Sequence, residues 1–161
     1  MMIKSLLLTA LATLGTGQYI DPTFIGDGEI YVVQGDAWPW GPSNPEDSTL
    51  GCLNSAGKLV ASGCGVFEAN LTTIYSTATD GECGWTIRAG AGGQPGVFNC
   101  ANPVNKGLYR LNGRLDEPDY IAYGAGYMGW STDGLGSGSA VDIYNGANWG
   151  PINVVLQFKF L

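Results

Sequence analysis

The sequence predicts an all-β fold, a small antiparallel β-sandwich or barrel with two disulfides. Three observations carry this expectation. First, 26 glycines and 8 prolines among 161 residues, with many Asn and Asp, interrupt the chain every few positions. Second, the runs between interruptions are short and rich in Val, Ile, Tyr, Phe and Thr, which suit a pleated, half-buried backbone. Third, the four cysteines form an even set behind an export signal. No segment holds a helical period long enough for an α/β fold.

Residues 1–17 read as a cleavable secretory leader. Lys4 supplies the positive start, an apolar run fills 5–14, and Gly15-Thr16-Gly17 offers a small-x-small cleavage site. The run falls short of the ~20 residues that cross a bilayer, and no later run comes close. Cleavage after Gly17 leaves Gln18 in front and six basic residues against fourteen acidic ones, a net charge of about −8. Such a surface repels phosphate backbones and anionic membranes, so neither nucleic acid nor a membrane is an expected partner. Its plain consequence is solubility outside the cell.

Residues 18–48 combine a first strand at 29–34 with a proline-rich arm containing Pro39, Pro42 and Pro45. The β domain proper occupies 49–161. Its strands are expected at 58–60, 65–69, 72–77, 85–88, 96–100, 107–111, 120–123, 140–144 and 153–160, with the glycine-serine run 134–139 as a loop. The last strand is the clearest. Val154, Leu156, Phe158 and Phe160 alternate with Asn153, Gln157 and Lys159, Val155 being the exception, which predicts one face in the core and one in water.

Cys52, Cys64, Cys83 and Cys100 permit three disulfide connectivities. Pairing neighbours closes two short loops, each bridge contributing ~3 kcal/mol by loop entropy. A zinc site is the poorer reading, because the chain has no C-x-x-C pair and no histidine. Asn70-Leu71-Thr72 is an N-glycosylation sequon in a segment that reads as exposed.

From Gly51 onward the motifs follow a recognisable order. Cys52-Leu53-Asn54-Ser55-Ala56-Gly57-Lys58-Leu59 leads into Cys64-Gly65-Val66-Phe67, then Gly81-Glu82-Cys83-Gly84, then Phe98-Asn99-Cys100. This order resembles the C-terminal domain that follows the catalytic domain in fungal RNase T2-like enzymes, over about 50–161. The chain departs from that pattern at Leu59, where tryptophan is usual, at Cys64-Gly65-Val66-Phe67-Glu68, where relatives carry a threonine-rich run, and in a longer insert at 88–95. The resemblance implies a free-standing fungal accessory domain, associated with the cell wall and without ribonuclease activity. It carries no ligand residues with it.

The absence of histidine excludes Ser-His-Asp, Cys-His and histidine-metal mechanisms. Carboxylate chemistry survives, since a glycosidase needs only two positioned acids. The densest acidic cluster, Asp116, Glu117 and Asp119 around Pro118, reads as a solvated turn. Asp21, Asp27 and Glu29 around Gly26 and Gly28 offer hard oxygen ligands for calcium, but no EF-hand loop is present and no metal or cofactor is expected.

Aromatic residues are the stronger signal. Trp38 and Trp40 flank the rigid Pro39, Tyr123, Tyr127 and Trp130 are interleaved with glycines, and Trp149 sits between Asn148 and Gly150. Flat indole and phenol faces suit stacking on sugar rings. Trp85 and Tyr144, inside strand patterns, read instead as core. The expectation is therefore a secreted, non-catalytic β domain acting outside the cell or at the cell wall, with cell-wall polysaccharide as its partner. The alternative is a secreted interaction protein that binds a protein partner.

Overall fold

A computed structural model of the chain describes residues 24–35, 49–86, 95–106, 109–112, 120–123, 129–135, 138–146 and 149–161. In chain order its strands are β1 (Ile25–Gln34), β2 (Thr49–Leu53), β3 (Leu59–Val60), β4 (Val66–Asn70), β5 (Thr73–Ser76), β6 (Gly81–Glu82), β7 (Gly84–Trp85), β8 (Phe98–Asn99), β9 (Asn105–Lys106), β10 (Tyr109–Asn112), β11 (Tyr120–Tyr123), β12 (Trp130–Thr132), β13 (Ile143–Asn145) and β14 (Ile152–Phe160). No helix occurs among the described residues.

The two longest strands, β1 and β14, pair antiparallel from Gly28 opposite Phe160 to Gln34 opposite Val154. Each changes partner along its other edge. β1 pairs with β4 over its first half and with β2 over its second. β14 pairs with β12 at its start and with β11 at Gln157. Leu50 is an extra residue on β2 opposite the Val32–Val33 step, and a bulge of this kind bends and twists the strand. The result is a curled antiparallel sheet, a half-barrel, which bears out the all-β fold with two disulfides.

The concave side holds the core. Ile30, Val32, Phe67, Leu156 and Phe158 point inward and are fully or almost fully buried. Gly28 makes room for this packing, because a Cβ there would overlap the Phe158 ring and the Lys159 carbonyl. Phe24 meets Phe158 edge to face at 5.2 Å. A small second sheet, in the order β8-β7-β9, contributes Trp85 and Phe98 to the same core. It is tied to the large sheet by a β-bridge between Val97 and Tyr144 and by the hydrogen bond from Cys100 N to Ala56 O at 3.3 Å.

Both disulfides join sequence neighbours. Cys52–Cys64 links β2 to the residues before β4, and Cys83–Cys100 brackets two strands of the small sheet, with Cys83 just before β7 and Cys100 just after β8.

The last strand departs from strict alternation. Gln157 is only 8% exposed and Val155 is buried, because Tyr120, directly opposite Gln157, closes a second apolar cluster with Val33 and Val155 on the convex side. Phe160, expected in the core, is 42% exposed where β14 runs past the rim. Four strands lie wholly outside the expected segments: β2, β6, β9 and β12. Three of them are too short to show an alternating pattern, and β2 carries the bulge that breaks it.

Candidate functional site

The sequence-based candidates separate into three groups. Trp38, Trp40 and Tyr127 lie outside the described residues, as do Asp21 and the acidic cluster Asp116, Glu117 and Asp119. Tyr123 ends β11, paired with Tyr109. Trp130 and Trp149 fall on the wall built by β12, β13 and β14, with opposite outcomes.

Trp130 is fully buried, which corrects its assignment as a ligand-binding residue. Cross-strand pairing sets it beside Asn145 and Val154 on the inward face, where its indole stacks on Trp85 at 4.8 Å with 20° between the planes. Glycines around a tryptophan suggested an open platform, but β12 is a strand and its parity points Trp130 into the core.

Trp149, by contrast, is 49% exposed. Its ring lies over Gly146, where a Cβ would come within 2.8 Å of the indole. Gly146 has φ +118, a conformation open to glycine and hostile to larger residues. Ser131 holds the segment that presents the ring. Its buried hydroxyl donates to the Gly146 carbonyl at 2.7 Å and accepts from the Gly150 amide at 2.9 Å. Gly146 N donates in turn to Gly129 O at 3.1 Å, and Gly150 rests against the Thr132 backbone so closely that a Cβ would stand 2.5 Å from it. Trp149 thus has beneath its ring one glycine, Gly146, and next to it in sequence another, Gly150, that Ser131 holds.

Tyr144 extends the same convex wall, directly opposite Ser131 on the neighbouring strand. The sequence pattern placed it in the core. It is half-buried instead, and its hydroxyl donates to Asp133 Oδ2 at 2.8 Å. That hydrogen bond, with burial and the charges of Asp133 and Asp142, raises the phenol above its usual pKa of 10.0. Asp142, two residues earlier, accepts from Lys58 Nζ at 2.8 Å. Lys58 is placed by the turn between β2 and β3, where Asn54 Oδ1 accepts from the amides of Ala56 and Lys58. Val141 and Leu59 exchange backbone hydrogen bonds, tying this turn to the residues just before β13.

This part of the chain therefore offers the exposed indole of Trp149 and, around Tyr144, a phenol, two carboxylates and an ammonium. Such a set can stack on the apolar face of a ring and hydrogen-bond to its hydroxyls. A neighbouring cleft of about 230 Å³ is lined by Val60, Ala61, Ser62, Leu135, Gly138, Ser139 and Ala140. It is smaller than the roughly 300–1,000 Å³ usual for an enclosed small-molecule site.

Other candidates resolve more simply. Asp27 and Glu29 stand in the extended strand β1 rather than in a ligand-wrapping loop, and Glu29 Oε2 accepts from the Tyr31 hydroxyl at 2.7 Å. No group of three or more metal-binding side chains converges among the described residues. No helix there is long and apolar enough to cross a membrane. Asn70 is exposed at the end of β4.

Comparison with known proteins finds no matching family model, no matching curated protein and no matching solved structure.

Proposed function

We propose that this chain is a secreted, non-catalytic β domain that associates with cell-wall or extracellular carbohydrate through the convex wall carrying Trp149. The single observation behind this reading is the half-exposed indole of Trp149, set between Gly146 and Gly150, both of which are hydrogen-bonded to the buried Ser131 hydroxyl. Stacking on a sugar requires a flat apolar face that is already in place, because ordering a mobile ring on binding would offset the contact energy. Two disulfides agree with an oxidising compartment, and the leader-like residues 1–17 agree with export. The resemblance of its motif order to the accessory domain of fungal RNase T2-like enzymes is in keeping with a wall-associated role without catalysis.

The test is retention of the protein on insoluble chitin and insoluble β-glucan, with release by the matching soluble oligosaccharide. Trp149→Ala should weaken retention about five- to tenfold, the equivalent of about 1–1.4 kcal/mol for one aromatic contact. If Trp38→Ala with Trp40→Ala abolishes retention and Trp149→Ala leaves it unchanged, the binding face lies on the proline-rich arm instead. No retention on either polysaccharide would remove the reading.

A second reading, a secreted protein that binds a protein partner, draws on the exposed Phe160 and Leu161 at the end of β14. It predicts that Phe160→Ser abolishes capture of that partner while Trp149→Ala does not.

A further inference from the structure

The one N-glycosylation sequon in the chain, Asn70-Leu71-Thr72, falls at a structurally defined place. β4 ends at Asn70, β5 begins at Thr73, and the two residues between them make the hairpin turn. Leu71 there takes φ 57, a left-handed conformation. The turn is held through backbone atoms alone on the Asn70 side. The Asn70 carbonyl accepts from Thr72 N at 2.7 Å and from Thr73 Oγ1 at 3.0 Å, while Leu71 N donates to Phe24 O at 2.8 Å. Among the described residues, neither the Asn70 carboxamide nor the Thr72 hydroxyl is engaged in a hydrogen bond.

Strand parity decides where the carboxamide points. Ala69 and Phe67 face the core, so Asn70 and Glu68 face out. Ile25 is the direct partner of Asn70 on β1 and shares that outer face. It is 56% exposed, and Leu71 at the turn is 36% exposed. An outward asparagine with a free carboxamide thus stands between two exposed aliphatic side chains.

We infer that Asn70 is an N-glycosylation acceptor whose first sugars cover the apolar end of the sheet formed by Ile25 and Leu71. In the transfer, Asn70 Nδ2 attacks C1 of the sugar in a polyprenyl-diphosphate-linked oligosaccharide. The new C–N bond forms as the C1–O bond breaks, the carboxamide loses one proton, and the lipid diphosphate leaves with the bonding pair. The Thr72 hydroxyl is the group the transferase reads two residues on. Asn70 points outward, and neither it nor Thr72 gives up a side-chain hydrogen bond among the described residues, so the modified chain keeps the same turn. The apolar C–H faces of the attached sugars then lie against Ile25 and Leu71.

This inference rests on passage through a secretory compartment. It is tested by expressing the chain behind a eukaryotic host's own leader, so that the outcome does not depend on residues 1–17. Intact mass of the secreted protein, before and after an amidase that releases Asn-linked glycans, should show one glycan. That mass should vanish in Asn70→Gln and Thr72→Ala and return in Thr72→Ser. Removing the glycan should increase binding of a dye that reports apolar surface, and Ile25→Thr should cancel the increase. A secreted wild-type protein at bare polypeptide mass overturns the acceptor assignment. Unchanged dye binding overturns the covering role. If the chain with its own leader stays inside the cell while the host-leader form is glycosylated, the secretion reading fails and the acceptor assignment stands.

Discussion

Trp85 and Trp130 stack face to face, 4.8 Å between ring centroids and 20° between planes, and in doing so join the small sheet to the half-barrel. Trp85 comes from β7 of the three-stranded sheet and Trp130 from β12 of the large one. Phe98 meets Trp85 edge to face at 5.4 Å, so the contact lies within an aromatic cluster rather than at a seam.

Trp130→Ala should therefore behave as a core deletion. Loss of a fully buried indole costs about 3–5 kcal/mol, a large part of the stability of a domain this size. Trp149→Ala removes a half-exposed ring and should change stability by less than about 1 kcal/mol. Urea midpoints of the two variants, with unchanged slope, would check this contrast. Equal destabilisation by both would contradict the placement of Trp130 in the core and Trp149 on the surface.

Non-reducing proteolysis with mass spectrometry should recover Cys52 joined to Cys64 and Cys83 joined to Cys100. The loops they close are short, 12 and 17 residues apart in sequence, and each bridge should contribute about 3 kcal/mol. Replacing Cys83 and Cys100 together by Ala should first loosen β7 and β8, the two strands that they bracket. Hydrogen exchange would show this as early loss of protection at 84–85 and 98–99, ahead of β1 and β14.

The neighbour pairing of the cysteines was one of three options open in the sequence, and β14 was plain from its alternation. The side chains of the candidate site were much harder to read, for a physical reason. Trp130 and Tyr144 have reversed the environments expected of them. A strand of three residues gives no alternation from which to read parity, and a shift by one residue exchanges inside for outside. Parity here is fixed by the register that sets Ser131 opposite Tyr144 and opposite Asn153, which is a tertiary fact. Ser131 itself was silent in the sequence, because both its partners are backbone atoms of glycines in a distant segment.

Ser131→Ala should release the segment that carries Trp149. It strands the buried Gly150 amide and takes a donor from the Gly146 carbonyl, at a cost of about 1–3 kcal/mol. Its signature is local: faster amide exchange at 146 and 150, and red-shifted, more mobile Trp149 fluorescence, with β1 and β14 unaffected. Polysaccharide retention should fall toward that of Trp149→Ala if the clamp is what keeps the indole in place. Full retention with a released segment would show that the ring needs no preorganisation.

Phe158 and Phe160 provide a test of where the core ends. Their rings meet at 4.9 Å, yet Phe158 is buried against Gly28 while Phe160 stands at the rim. Phe158→Ala should cost about 3–5 kcal/mol and Phe160→Ala no more than about 1 kcal/mol. Thermal denaturation of the two variants separates them by many degrees if the rim lies between these residues. A similar loss in both would extend the core to the end of β14.

Tyr144 and Tyr31 make the molecule sensitive to alkali. The hydrogen bond from Tyr144 to Asp133 favours the neutral phenol, as does its partial burial and the charges of Asp133 and Asp142. The hydrogen bond from Tyr31 to Glu29 acts in the same direction, reinforced by partial burial and by the Glu29 charge. Each phenol thus binds its proton more tightly in the folded chain than in the unfolded one. Between the ordinary value of 10.0 and the raised folded value, the folded state holds more protons, so stability falls as pH rises. The contribution is complete below pH 10 and is lost as pH climbs through the folded pKa. Both side chains are partly solvated, so screening keeps the effect small. Phenolate absorbance followed through an alkaline titration should show Asp133→Asn lowering the midpoint of one tyrosine toward 10, and Tyr144→Phe removing that transition. An unchanged profile in Asp133→Asn would mean that this carboxylate does not hold the phenol in solution.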